Sequence, residues 1–219
     1  MVNCYKIFVN KKIVLIKGLL AITMLVLPLI LATGVPMGIL VGALMVASFS
    51  ILIELIMDFF TFGGIAAKKE KVMEYCRSSI KGPRVVEKGL TGDVVVKFLK
   101  MFLIVIISYV STTLYLNEKI TAISILFMLS LVFAALVLIY GGLMITRRFC
   151  KTFSIHVIVI YLVMAIGTGL FVPLFYFYIC GALIGMITFT LVSGCLSGLF
   201  GYLLVREGVN GFKSGYYDI

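Results

Sequence analysis

The chain has no tryptophan, one histidine and only four prolines, and charge is scarce: Asp, Glu, Lys and Arg together make 13% of 219 residues. Soluble domains carry about twice that share of charge. Each shortage removes a class. So little charge beside so much apolar residue excludes a disordered chain and a soluble enzyme. Five cysteines (Cys4, Cys76, Cys150, Cys180 and Cys195) show no paired or metal-like spacing, which excludes a secreted disulfide scaffold and a cysteine-ligated metal site. No G-x-x-x-x-G-K-[ST] loop occurs, since Gly211-Phe212-Lys213-Ser214 lacks the order, and there is no H-E-x-x-H helix or filter-like loop. The apolar segments are continuous rather than alternating, against a transmembrane β-barrel.

What is present is hydrocarbon. Hydrophobic residues make 63% of the chain and the mean hydropathy is +1.22. At ~20 residues per crossing helix this supplies roughly six spans. The expected fold is therefore an all-α, polytopic membrane protein with six transmembrane helices in a single domain, 1–219. Its parts are an N-terminal interfacial helix (1–12), a first hairpin (13–57), a cytoplasmic coupling segment (58–100), spans three to six (101–205) and a polar cytoplasmic tail (206–219).

The N-terminus resembles a signal peptide, with Lys6, Lys11, Lys12 and Lys17 before an apolar run. No soluble domain follows Ala32-Thr33-Gly34, so the reading is an uncleaved first span ending at Val35. Pro36 marks a tight turn into a second span over 37–57. The third span occupies 102–116, beginning as early as Val94 with Lys97 and Lys100 reaching to lipid headgroups. Asn117-Glu118-Lys119 is an outer turn before a fourth span over 120–145. The fifth, over 155–171, breaks near Pro173, and the sixth covers 181–205.

The net charge of +10 suggests nucleic acid at first sight, but in a membrane protein it marks cytoplasmic loops. With six spans and both termini cytoplasmic, only Lys119 of the 19 Lys and Arg falls outside. No nucleic-acid partner is implied. Cys4, Cys76 and Cys150 then lie in the reducing cytoplasm, and Cys180 and Cys195 read as soft, buried filler.

The segment over 62–100 is the most informative. Ile65, Val72, Cys76 and Ile80 recur at helical spacing, and Glu74 can pair with Lys71 or Arg77. Gly82-Pro83 is expected to end that helix; 84–88 starts a second short piece, and Thr91-Gly92-Asp93 caps the third span. Such an element either rests on anionic lipid or docks a soluble partner.

In this layout the chain resembles the small type-2 class of ABC exporter permeases. The shared features are the interfacial N-terminal helix, the tight first hairpin, the cytoplasmic coupling helix and six spans. Many bacterial members carry Ser-Leu-Pro-x-Ser-Arg-x-x-Ile/Val after the second span. The matching stretch here is Ser79-Ile80-Lys81-Gly82-Pro83-Arg84-Val85-Val86, with Pro83 two residues later than the family's proline. The resemblance implies a permease in the bacterial plasma membrane, moving an amphipathic or hydrophobic substrate (peptide, antibiotic or lipid-like) outwards. It implies a homo- or heterodimer of such subunits. It also implies a cytosolic ABC ATPase as a separate chain that holds the ATP and Mg, so that the permease needs no cofactor and is not itself an enzyme. ATPase coupling would fall to Val72, Glu74, Cys76, Arg77, Ile80 and Arg84.

Glu54 and Asp58 lie four residues apart in the second span, on one face with Ser50. Intramembrane carboxylates are expensive and mark function or pairing. Ser50, Glu54 and Asp58 are thus candidate translocation-path residues, with Lys17 or Arg147 as a salt-bridge partner for Glu54; Asp58, at the boundary, needs no special role. Gly181 with Gly185, and Gly194 with Gly198 and Gly201, form two close-approach patches for helix packing or a dimer. Cys150 and His156 raise a rival, a membrane-embedded cysteine protease. A third reading is a non-transporting assembly or immunity protein. None of these needs a metal.

The topology is directly testable. Cys4, Cys76 and Cys150 should escape a membrane-impermeant thiol reagent applied to intact cells, and labelling of any one of them refutes the orientation.

Overall fold

Hydrocarbon offers backbone N–H and C=O groups no partner, so a chain this apolar closes its hydrogen bonds within helices. The computed structural model describes residues 15–20, 22–23, 38–60, 79–115, 117, 119–149 and 153–214, and every regular element among them is helical. Residues 15–20 and 22–23 are helical. Five longer helices follow: α1 (Gly38–Asp58), α2 (Gly82–Tyr115), α3 (Ala122–Phe149), α4 (Phe153–Ile179) and α5 (Leu183–Ser214). By length and composition, α2 to α5 are four helices that can cross a membrane, and the protein has the make-up of a membrane protein. The expected interfacial helix over 1–12 and most of the coupling helix lie outside the described residues.

Helix boundaries differ from expectation in three places, each for a physical reason. Gly82-Pro83 opens α2, which runs without a break through Thr91-Gly92-Asp93 to Tyr115 instead of forming a short piece and then a separately capped span; most of the helix expected before Gly82 lies outside the described residues. A proline in the first turn costs nothing there, because its missing N–H would have no intrahelical acceptor. Pro173 does not break α4, which continues to Ile179; membrane helices tolerate proline where neighbouring helices support the backbone. The expected polar tail from Arg206 is the last part of α5. Val205, Val209 and Phe212 recur at helical spacing and pack on Val86 and Leu90 of α2.

The turns between α2 and α3 and between α4 and α5 are short and well capped. Asn117 takes a left-handed φ of 56° between α2 and α3. Thr121 and Ser124 then bond reciprocally, Thr121 N–H to Ser124 Oγ at 2.8 Å and Ser124 N–H to Thr121 Oγ1 at 3.3 Å, a variant of the capping box. Between α4 and α5, Gly181 has φ 63°, with Ala182 N–H donating to Phe177 O and Gly181 N–H to Tyr178 O. That pair of bonds is a Schellman ending, which calls for glycine at the left-handed position.

Contacts fix the helix directions. Ser130 meets Thr190, and Tyr140 meets Gly201, so α3 and α5 run parallel. Leu90 meets Gly208 and Val94 meets Gly201, so α2 runs against them. Phe127 packs on Phe175 and Tyr178, and Gly142 on Val163, so α4 also runs against α3. α3 is the central helix: 61% of its apolar window is buried, against 17% in α5. Phe127, Leu131, Leu136, Ile139 and Leu143 of α3 are fully buried and hold the core.

The glycines are arranged differently from the two patches expected. Gly181 lies in the turn, outside α5, and Gly185 takes the ring of Phe177. Gly194, Gly201 and Gly208, each seven residues on, receive Phe133, then Tyr140 with Val94, then Leu90. A seven-residue repeat keeps one face of a helix turned to its neighbours. Gly198 lies off this seam and faces open space. Cys180 and Cys195 are exposed, not buried filler.

The seam predicts a contrast. A Cβ at Gly201 already lies 3.3 Å from Val94 and 3.4 Å from Tyr140, so Gly201→Leu should destabilise the bundle by about 1–3 kcal/mol. Gly198→Leu, into open space, should change stability by no more than about 0.5 kcal/mol. Thermal unfolding in detergent measures both, and equal losses would refute the seam.

Candidate functional site

Along the outer face of α2, Val95, Val96, Leu99, Leu103, Ile107, Val110, Leu114 and Tyr115 are exposed and apolar or aromatic. This stripe is about 21 residues or ~30 Å long, the thickness of a bilayer's hydrocarbon. About 100° round the same helix from the centre of this stripe, Asp93, Lys97 and Lys100 turn inwards, and Asp93 and Lys97 are buried. Charged groups therefore sit level with the lipid-facing stripe, within ~10 Å of its basic end. At that depth a lone charge is costly, and pairing is the remedy.

Pairing is what the structure contains. Glu54 accepts from Lys17 Nζ at 3.0 Å on one oxygen and from Lys100 Nζ on the other. Asp58 accepts Arg147 Nε at 2.8 Å and Nη2 at 2.6 Å, a two-pronged contact, and Lys97 Nζ at 3.3 Å. Asp93 accepts Arg147 Nη2 at 2.7 Å and also Lys97 Nζ. Three carboxylates and four cations from the N-terminal helical stretch, α1, α2 and α3 thus form two linked groups of ion pairs. Arg147 is suited to its place because its planar fork can serve two carboxylates at once.

Neighbouring polar groups brace the same end of the bundle. Tyr140, admitted by Gly201, donates its hydroxyl to Val94 O at 2.9 Å. His156 is buried with Nε2 2.8 Å from Leu55 O, which makes that nitrogen the donor, and its ring packs on Phe59. A π turn at 59–60 ends α1 there. Ser50, one turn before Glu54 on α1, is buried, and its hydroxyl has no hydrogen-bond partner among the described residues.

Of the residues singled out from sequence, Glu54 and Asp58 are buried in this cluster, and Lys17 is a partner of Glu54 as expected. Arg147 is instead the partner of Asp58, which is central to the site rather than an idle boundary residue. Lys97 and Lys100 do not reach for headgroups; they turn inwards. Asp93, expected as a helix cap, is an ion-pair partner in mid-helix. The signal for it was the Asp93–Lys97 spacing of four, which pairs side chains only if the helix is unbroken. Val72, Glu74, Cys76 and Arg77 lie outside the described residues, as does Cys150. Ile80 lies in the turn before α2 and is fully exposed, and Arg84 is exposed on the first turns of α2. Comparisons with family models, with curated proteins and with solved structures find no match.

The cluster predicts unequal costs. Arg147→Met leaves Asp58 and Asp93 to share Lys97 and should cost about 3–5 kcal/mol, as for a broken buried pair. Glu54→Gln should cost much less, because Lys17 and Lys100 are 17% and 24% exposed and can turn to water. Thermal unfolding of the two variants checks the order; the reverse order would show that Glu54, not Arg147, holds the site.

Proposed function

We propose that the chain is the transmembrane subunit of an ATP-driven exporter of the type-2 ABC class, in a bacterial plasma membrane. The carrying observation is the position of the charge cluster. α1 ends at Asp58 and α2 begins at Gly82, and the segment between them is the coupling element of this reading. Its two roots are tied to each other and to α3 through Asp58, Asp93, Lys97 and Arg147. A displacement of that segment would reach three helices as one body, which is what coupling to an ATPase requires.

The chain would cross the membrane six times with both termini in the cytoplasm, so that the cluster lies at the inner face. A cytosolic ABC ATPase, carrying ATP and Mg, would grip the segment containing Val72, Glu74, Cys76, Arg77 and Ile80, with Arg84 at its edge. The full exposure of Ile80 supports a contact made outside the chain's own bundle. A second permease subunit, identical or related, would meet this one across an outward face, and Gly198 on α5 offers close approach there. The exported substrate would be amphipathic or hydrophobic, passing near Ser50 and Glu54.

Replacing both Val72 and Cys76 with Asp tests this. Desolvating an unpaired charge in an interface costs several kcal/mol, enough to weaken binding by at least about a hundredfold. The expected result is a stable, inserted subunit that no longer co-purifies with the ATPase or stimulates it. Normal binding and stimulation by the double variant would overturn the coupling role.

A further inference from the structure

The inward cations of α2 are used by the cluster; its outward face carries a second, separate set of cations. Arg84 and Lys88 are exposed on the first two turns, and Lys81, whose carbonyl accepts Val85 N–H at 3.1 Å, is exposed just before them. At about 100° per residue, Arg84, Lys88, Val95 and Leu99 fall within an arc of about 60°. Arg84 and Lys88 therefore stand directly in line with the lipid-facing stripe, about two to three turns beyond its end, with Lys81 about one turn further. None of the three makes an ion pair among the described residues, whereas the inward cations Lys97, Lys100 and Arg147 are all committed to carboxylates. The exposed acid nearest the arc, Glu87, is offset to one side of it.

The half of this face nearest the cations thus offers ~15 Å of apolar surface, the depth of one leaflet, followed by three cations unpaired among the described residues. That is the outline of a single phospholipid: acyl chains along Val95, Leu99 and Leu103, glycerol level with Thr91, and an anionic headgroup against Lys88, Arg84 and Lys81. The gap between Lys88 and Val95 is about 10 Å along the axis, which the backbone of a lipid and the reach of a lysine or arginine side chain span together. A zwitterionic headgroup would bring its own cation to a face that lacks a carboxylate in line with the stripe.

We infer that the outward face of α2 is a binding site for an anionic membrane phospholipid, with Lys81, Arg84 and Lys88 holding its phosphate-bearing headgroup. This site needs no ATPase, so its failure leaves the exporter proposal standing. A basic side chain near an anionic lipid surface contributes about fivefold in affinity, and three together about a hundredfold.

The experiment uses the full chain purified in zwitterionic detergent, titrated with short-chain phosphatidylglycerol, short-chain phosphatidylcholine and inorganic phosphate in parallel. Wild type should bind the phosphatidylglycerol saturably, and the phosphatidylcholine at least about tenfold more weakly. It should show no saturable binding of phosphate alone. The K81Q/R84Q/K88Q variant, altered only at exposed positions, should lose about a hundredfold for phosphatidylglycerol while its lipid-free unfolding temperature is unchanged. If the triple variant does not fold, R84Q alone should lose about fivefold. Equal binding by variant and wild type, or of the two lipids by wild type, would overturn the site. Saturable phosphate binding lost in the variant would mark a free-anion site instead and overturn it equally.

Discussion

Charges placed at the depth of hydrocarbon must be neutralised by one another, and this constraint organises the whole basic end of the bundle. Asp58, Asp93, Lys97 and Arg147 satisfy it across three helices, and Glu54 satisfies it with Lys17 and Lys100. Arg147 cannot leave without depriving the buried Asp58 and Asp93 of a partner in a low-dielectric surrounding, where an unpaired ion costs several kcal/mol. In apolar lipid, where burial of leucine against leucine gives little net drive, such pairs and close backbone packing specify which helices touch. The first supplies direction and register to α1, α2 and α3.

The second is the work of glycine. Gly194, Gly201 and Gly208 let Phe133, Tyr140 and Leu90 lie against the backbone of α5. The two devices meet at Tyr140: its ring fills the space at Gly201 and its hydroxyl reaches Val94 O, one residue from Asp93. Close packing of α5 thus supports the helix turn that carries the buried carboxylate. The opposite end of the bundle has no such cluster among the described residues; its helix ends are set by Thr121, Ser124 and the left-handed Gly181. The basic end is electrostatically tied and the opposite end is closed by turns.

Helix α2 shows how one element carries two chemistries. Its inward face holds Asp93, Lys97 and Lys100, and its outward face holds exposed Arg84 and Lys88 below an apolar stripe. Both sets are basic in composition, and a charge count along the chain treats them alike. Only the rotation of about 100° per residue, applied to an unbroken helix, separates a partner of a carboxylate from a cation left to the membrane surface.

The sequence by itself determined the class of protein and the sites of most helices. Long apolar runs admit only membrane helices, because backbone polar groups must be satisfied locally, and α1 and α3 lie within a few residues of the runs that announce them. It also marked Glu54 and Asp58, since a carboxylate in such a run stands out against its surroundings. Tertiary structure alone decided where the helices stop and what the charges do. Pro173 and Arg206 carry local signals for ending a helix, yet α4 passes through Pro173 and α5 through Arg206. For α5 the reason is that packing on Val86 and Leu90 outweighs local propensity. The assignment of Arg147 to Asp58 and Asp93, and of Lys100 to Glu54, joins residues 46 to 89 apart in sequence. Electrostatic pairing depends on distance in space, which a linear pattern does not contain until helix rotation and packing have set it.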